Sequence, residues 1–359
     1  MSSETFGSPK NSAAFAGERI DAMRSFAVLL VVGCIVAGCP LPSQAEPPVP
    51  GRLIDVGGWR MHINCTGETR PGQPTVILEA GSSDFSIDWA FVQPEVATFT
   101  RVCSYDRSGS GWSDLGPHPH TLKQIVFELH VLLDKAEESA PLVYVGHSYG
   151  GRLARIYAST YPADVRGIVF VDAGHEDSLM SLNGRIVREW ELATGEPVPP
   201  PQASNPLRLE DLPADFRQQL EAAAAQNAGR PVVSPHNKLP LDLRQARSWA
   251  MSQVKWFASN NSSFNGDEIL ALKNARATTP FPLGDMPVVV LMRGIPIDPS
   301  AERGVEREQD RQRLSADLAA LSRNGRLITA SASTGHHIHI DEPELVIRAI
   351  REVVGAAAR

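Results

Sequence analysis

Six short, mostly apolar runs separated by helix-like or glycine-rich stretches constrain this chain more than any other feature. They read "TVILEAG", "TRVCSYD", "LVYVGHS", "RGIVFVDAG", "MPVVVLMRG" and "RLITASAS". A strand with water on one side alternates apolar and polar residues, whereas a strand apolar throughout must be covered on both faces, and helices are the usual cover. Helical patterns lie between the runs. "TLKQIVFELHVLLDKA" (Thr121 to Ala136) repeats apolar residues at three- and four-residue spacing, "GRLARIYASTYP" follows the third run, and "PELVIRAIREVV" closes the series. Ahead of them, "RLIDV" and "RMHINCTG" flank "GGW", a hairpin signal. This order predicts an α/β fold: a mostly parallel sheet with helices on both faces.

The rhythm breaks between residues 178 and 285. That stretch holds "EPVPPPQASNPL", an alanine-rich helix pattern "FRQQLEAAAAQNAG" and the aromatic segment "SWAMSQVKWFASNNSSF". The expected organisation is therefore a core built from residues 52–177 and 286–359, with an inserted helical cap or lid over 178–285. Its aromatic residues Trp190, Trp249, Trp256, Phe257 and Phe264 are expected either to line an apolar acyl or alcohol pocket or to form the small core of the lid. No internal repeat is present.

Residues 1–39 form a separate unit. After a polar stretch, "MRSFAVLLVVGCIVAGC" (Met23 to Cys39) has one arginine at its head and then about 14 mostly apolar residues, the layout of a signal h-region and too short for a membrane span of about 20 residues. Its end, "VAGC", resembles the lipobox of bacterial lipoproteins, which implies lipidation of Cys39, export to the cell envelope and a membrane partner through the acyl anchor. A secreted or periplasmic product is the alternative. Met23 would itself start a signal peptide of ordinary length. The Pro-rich residues 40–51 then read as a tether. A formal net charge of −7, with no basic run, excludes an electrostatic case for nucleic acid.

Chemistry concentrates in the third apolar run and its sequel. In "GHSYGG", Gly146, Ser148 and Gly150 match G-x-S-x-G between a strand pattern and a helix pattern. A serine there sits on a strained turn with its hydroxyl exposed, which is what a nucleophile needs, provided that a base takes its proton and donors receive the oxyanion. Late in the chain, "TGHHIHIDEPELV" offers His336 as the base, with His337 and His339 as competitors. No Asp, Glu or Cys spacing accompanies the three histidines, so neither a metal nor any cofactor is expected.

With these residues in view, the chain resembles the α/β-hydrolase family over about Arg52 to Val354. The resemblance rests on "GHSYGG", the "YDRSGSGWSD" loop, "GHHIHIDEPELV" and the strand–helix order. It implies the α/β-hydrolase fold with eight strands, Ser148 as nucleophile, and backbone oxyanion donors at Tyr149 and at Ser82, with Ser83 as fallback, because "LEAGSSDF" replaces the family's His-Gly pair. It implies an acid partner for His336 as well. Asp172 stands at a strand tip in "IVFVDAGHED"; Asp298 in "MRGIPIDPS" is the alternative, one residue out of register, and Asp177 or Glu176 come next. Asp106, Arg107 and Ser113 in the glycine loop are expected to hold that loop by their own polar contacts. Two of the four cysteines lie in the export segment, and the family's sheet order sets the strands of Cys65 and Cys103 side by side, which implies a disulfide between them.

The expected activity is a serine hydrolase that cleaves a small or medium-sized carboxylic ester through an acyl-enzyme. Amidase, lactonase, thioesterase and cofactor-free haloperoxidase activities use the same groups, and a non-catalytic envelope lipoprotein that binds ligands on this fold is the alternative of a different class. Epoxide hydrolase and haloalkane dehalogenase relatives carry Asp at the elbow, which Ser148 argues against.

Overall fold

A computed structural model describes residues 45–138, 141–182, 184–259 and 264–358. The signal-like segment, Cys39 and the expectation attached to them lie outside the described residues. Among the described residues, no helix is long and apolar enough to cross a membrane.

The elements follow in chain order. Strands β1 (Arg52–Asp55), β2 (Arg60–Thr66) and β3 (Thr75–Glu79) precede the short helix α1 (Gln93–Val96), and β4 (Val102–Tyr105) leads to α2 (Leu122–Lys135). Then β5 (Leu142–His147), α3 (Tyr149–Thr160) and β6 (Val165–Val171) complete the first half. A hairpin of β7 (Leu179–Leu182) and β8 (Arg185–Arg188) opens the excursion, followed by α4 (Ala214–Asn227), α5 (Leu241–Met251), α6 (Val254–Ser259) and α7 (Asn265–Thr278). The chain ends on β9 (Val288–Met292), α8 (Gly304–Ala319), β10 (Gly325–Thr329), the single turn α9 (Ile338–Asp341) and α10 (Pro343–Ala357).

Eight strands form one sheet in the order β1-β2-β4-β3-β5-β6-β9-β10. The β1–β2 and β2–β4 pairs are antiparallel and all others parallel. The fold is the α/β-hydrolase fold expected from the sequence. Strand alternation explains why nearly every position in these runs is apolar. In β5, Leu142 and Tyr144 enter the core beneath α2 and α3, while Val143 and Val145 enter the opposite core beneath α10. Thr121 starts α2 by accepting the Gln124 N–H at 3.0 Å.

Cys65 and Cys103 face each other across the β2–β4 register and form a disulfide. The excursion over 178–285 includes the β7–β8 hairpin, which no alternation in the sequence announced. Glu268 of α7 anchors it to the core by accepting the N–H groups of Leu122 and Lys123, at 2.8 and 2.9 Å, at the free amino end of α2.

Candidate active site

Ser148 sits where β5 turns into α3, with φ 51° and ψ −115°. For a residue with a Cβ this is a strained backbone, and strain of that kind persists only where the surroundings hold it. They do. The Ser148 N–H donates to the Val171 carbonyl at 3.1 Å, and its carbonyl accepts from Gly151 at 3.1 Å and from Gly174 at 2.9 Å. The flanking glycines are needed for close approach: a Cβ on Gly146 would lie 2.5 Å from the Gly150 carbonyl oxygen, and one on Gly150 would lie 2.8 Å from that of Glu79.

Asp172 follows β6 directly, also at positive φ, 40°. Its N–H donates to Leu291 at 2.7 Å, and its Oδ1 accepts the Arg293 N–H at 3.0 Å. Oδ2 lies 2.6 Å from His336 Nδ1. Burial opposes the charge on Asp172, but the His336 hydrogen bond and the nearby Arg293 outweigh it and hold the carboxyl below its usual range. A carboxylate can only accept, so Nδ1 carries the proton and the lone pair of His336 is on Nε2. The His336 side chain is 37% exposed and that of Asp172 is 7% exposed, so the pair has a buried acid and an open base.

The other expected acids are occupied elsewhere. Asp298 is exposed and accepts the Ser300 N–H at 2.8 Å and the Ser300 hydroxyl at 2.7 Å. Asp177 accepts from Lys273 Nζ at 2.7 Å and from the Trp190 indole at 2.9 Å, and buried Glu176 pairs with Arg155. The three histidines of "GHHIHI" separate. His336 meets Asp172, His337 turns to Asp84 at 3.3 Å, and His339 is buried against the Trp89 ring at 4.5 Å, where desolvation keeps it uncharged.

Two cavities meet at Ser148. One, of about 360 Å³, is lined by Ser82, Arg107, Tyr149, Arg152 and Glu189 among others, and the second, of about 210 Å³, by Asp172, Arg293, Arg307 and His336. Of the two roles expected for the aromatic residues, lid packing is the one seen among the described residues: none of Trp190, Trp249, Trp256 and Phe257 lines either of these cavities. Trp249 is buried with Phe85 and Trp112, Phe257 packs with Leu115 and Leu220, and Trp256 meets Phe257 edge to face at 4.8 Å. Trp190 lies under Lys273 and donates to Asp177. These rings stabilise the excursion, and the larger cavity at Ser148 is walled by polar groups together with Ile125, Tyr149 and Met180.

The glycine loop does more than hold itself. Asp106 accepts the N–H groups of Ser86 and Trp112, each at 2.9 Å, and Ser113 donates to the Asp106 carbonyl at 2.7 Å. Buried Arg107 pairs with Glu79 at 2.6 Å and donates to the carbonyl oxygens of Ala80 at 2.8 Å, Gly81, and Ser82 at 3.3 Å. In a trans peptide the C=O of one residue and the N–H of the next point in opposite directions. Arg107, by taking the Gly81 carbonyl, therefore turns the Ser82 N–H away from itself. No sequence signal separated this role from ordinary loop packing.

The family model described as the alpha/beta hydrolase family matches residues 71–349. A probable transporter efuK of Hormonema carpetanum is 32% identical over 152 residues, 41% of this chain, and the match spans only 22% of that protein. An AB hydrolase superfamily protein of Gibberella zeae is 26% identical over 304 residues, which cover 80% of this chain and 88% of that one. Among solved structures, a thermophilic esterase from Thermogutta terrifontis aligns with TM-score 0.57 over 86% of this chain and 99% of its own, at 16% identity, a likeness of fold.

Proposed function

The chain belongs to the alpha/beta hydrolase family, and from that premise we propose that it is a serine hydrolase cleaving a small or medium-sized carboxylic ester through an acyl-enzyme on Ser148. The hydrogen bond from His336 Nδ1 to Asp172 at 2.6 Å carries this reading, because it leaves Nε2 as a base beside a cavity that Ser148 also lines. Nε2 takes the Ser148 proton as Oγ bonds to the acyl carbon. The N–H groups of Tyr149 and Ser82 receive the oxyanion, the first at the positive end of α3 and the second oriented by Arg107. His336 then returns the proton to the departing alkoxide. Water attacks the acyl carbon as His336 takes its proton, and the proton passes to Ser148 as the acid leaves.

A cavity of about 360 Å³ whose walls mix Arg107, Arg152 and Glu189 with Ile125, Tyr149 and Met180 supports an ester of small or medium size. The same reading includes export and an acyl anchor at Cys39; the Cys65–Cys103 disulfide supports an oxidising compartment. Mass spectrometry of the mature N-terminus tests the anchor. A fluorophosphonate probe and a p-nitrophenyl ester series test the chemistry: wild type labels and turns over short esters, Ser148→Ala does neither, and equal labelling of both would reject the proposal.

A further inference from the structure

Behind the His336 loop, two aspartates and three histidines converge from distant parts of the chain. Asp84 and Asp88 follow β3, His147 ends β5, His236 lies in the excursion, and His337 follows His336. The two carboxylates share one guanidinium. Arg247 donates to Asp84 Oδ1 at 3.0 Å and to both oxygens of Asp88 at 2.9 Å. On the other side of Asp84, Oδ2 faces His147 Nδ1 at 3.4 Å and His337 Nε2 at 3.3 Å.

His147 is the decisive group. Its Nε2 lies 3.1 Å from the His336 carbonyl oxygen, which can only accept, so Nε2 carries the ring proton of the neutral imidazole and Nδ1 presents a bare lone pair. That lone pair is buried, has no hydrogen-bond partner among the described residues and lies 3.4 Å from a carboxylate oxygen. Two electron-rich atoms this close in a buried site repel unless a cation or a shared donor stands between them.

We infer that Asp84, His147 and His337 bind one divalent transition-metal ion of the zinc class, which ties together the loops carrying Ser82, Ser148 and His336. A tetrahedral zinc site with bonds of about 2.0–2.1 Å has ligand-to-ligand edges of about 3.3–3.4 Å. The two edges from Asp84 Oδ2 are 3.4 and 3.3 Å, and the three ligand atoms lie within 4.8 Å of one another. Two imidazoles and one carboxylate favour zinc over magnesium or calcium. His236 approaches Asp84 Oδ1 and Asp88 Oδ1 at 3.3 Å, but on the side where Arg247 already supplies positive charge. None of the three ligands lines either cavity at Ser148, so the ion holds loops in place and does not touch substrate. The sequence expectation of no metal weighed only the spacing around "GHHIHI", whereas Asp84 lies far from it in the chain.

Metal content tests this independently of any esterase activity. The full chain is loaded with zinc, freed of excess by gel filtration and measured by elemental analysis; a parallel sample takes cobalt(II) and is read by its visible d–d bands. Wild type is expected to retain about one equivalent, with tetrahedral cobalt bands, and Asp88→Asn to retain it as well. Asp84→Asn and His337→Gln are expected to weaken zinc binding at least about tenfold. His337 is the more exposed ligand, so His337→Gln remains informative if Asp84→Asn does not fold. Wild type retaining no zinc, or His337→Gln retaining it as tightly as wild type, overturns the site.

Discussion

Asp172 presents its carboxylate to His336 Nδ1 at 2.6 Å from a backbone at φ 40°, locked by its own N–H on Leu291 and by the Arg293 N–H on its second oxygen. The acid is thus oriented by three contacts, two of them to strand β9 and the residue after it. Asp172→Asn places an amide where only an acceptor suits the tautomer, and should lower kcat by about 10⁴-fold. Asp298→Asn should leave kcat at the wild-type value, since its side chain serves Ser300 on the surface. Steady-state turnover of a p-nitrophenyl ester by the two variants checks the assignment, which fails if the effects are reversed.

The backbone at Ser148 sets a stability prediction opposite in sign to its activity. At φ 51° and ψ −115° a Cβ costs about 1–3 kcal/mol, and glycine avoids that cost while losing some conformational entropy on folding. Ser148→Gly should therefore be about 1 kcal/mol more stable than Ser148→Ala in urea melts, with both inactive. Equal midpoints would mean that the turn is not strained.

The strands themselves and the place of Asp172 at a strand tip were legible from local signals, apolar runs and breakers, whereas the adjacency of β2 and β4, and with it the Cys65–Cys103 pairing, followed only from the resemblance to the α/β-hydrolase family. The pocket was not legible. Trp190, Trp249, Trp256 and Phe257 are among the large apolar residues of the excursion, yet composition does not say which way a ring faces, and they turn into its packing and away from Ser148. Arg107 was hidden for another reason. Its work depends on the Gly81 and Ser82 carbonyls, which one sheet pairing brings beside it and no spacing in the sequence records. Asp84, His147 and His337 likewise meet only because β3 and β5 are neighbours and the chain after β10 returns over their tips.

Arg107 links stability to the loop proposed to hold the oxyanion. Among the described residues, Arg107→Met would leave buried Glu79 with the Tyr105 and Tyr144 hydroxyls as its side-chain partners, a loss of about 3–5 kcal/mol. The double variant Arg107→Met/Glu79→Gln removes that unpaired charge and should recover much of the stability, but not the hold on Gly81 and Ser82. Its kcat should stay reduced by about tenfold or more while KM changes little, because an oxyanion donor acts mainly in the transition state. Recovery of kcat together with stability would show that Arg107 serves folding alone.

The disulfide closes a stretch with a sequence separation of 38 between β2 and β4. Chain entropy assigns such a loop about 4 kcal/mol, and measured values for native bridges run at about 2–5 kcal/mol. Cys65→Ala/Cys103→Ala should lose stability in that range at neutral pH, and dithiothreitol should lower the wild-type Tm without affecting the variant. Since neither sulfur lines a cavity at Ser148, turnover at low temperature should be unchanged.

Glu176 gives the acid limb of stability a named source. Burial alone would raise its pKa, but the Arg155 guanidinium, which donates to Oε1 at 2.9 Å and also to Oε2, brings it down to about 2. The folded value lies below the unfolded one, so the contribution is complete above about pH 4.5 and is lost as pH falls from there towards 2. A shift of that size corresponds to about 3 kcal/mol. Other paired carboxylates, Glu308 with Arg311 among them, act in the same window, so the test is a difference. Urea melts of wild type and Glu176→Gln at pH 7 and pH 3 should give a stability gap that narrows on acidification. A gap that stays constant would place the pair's contribution in packing and not in charge.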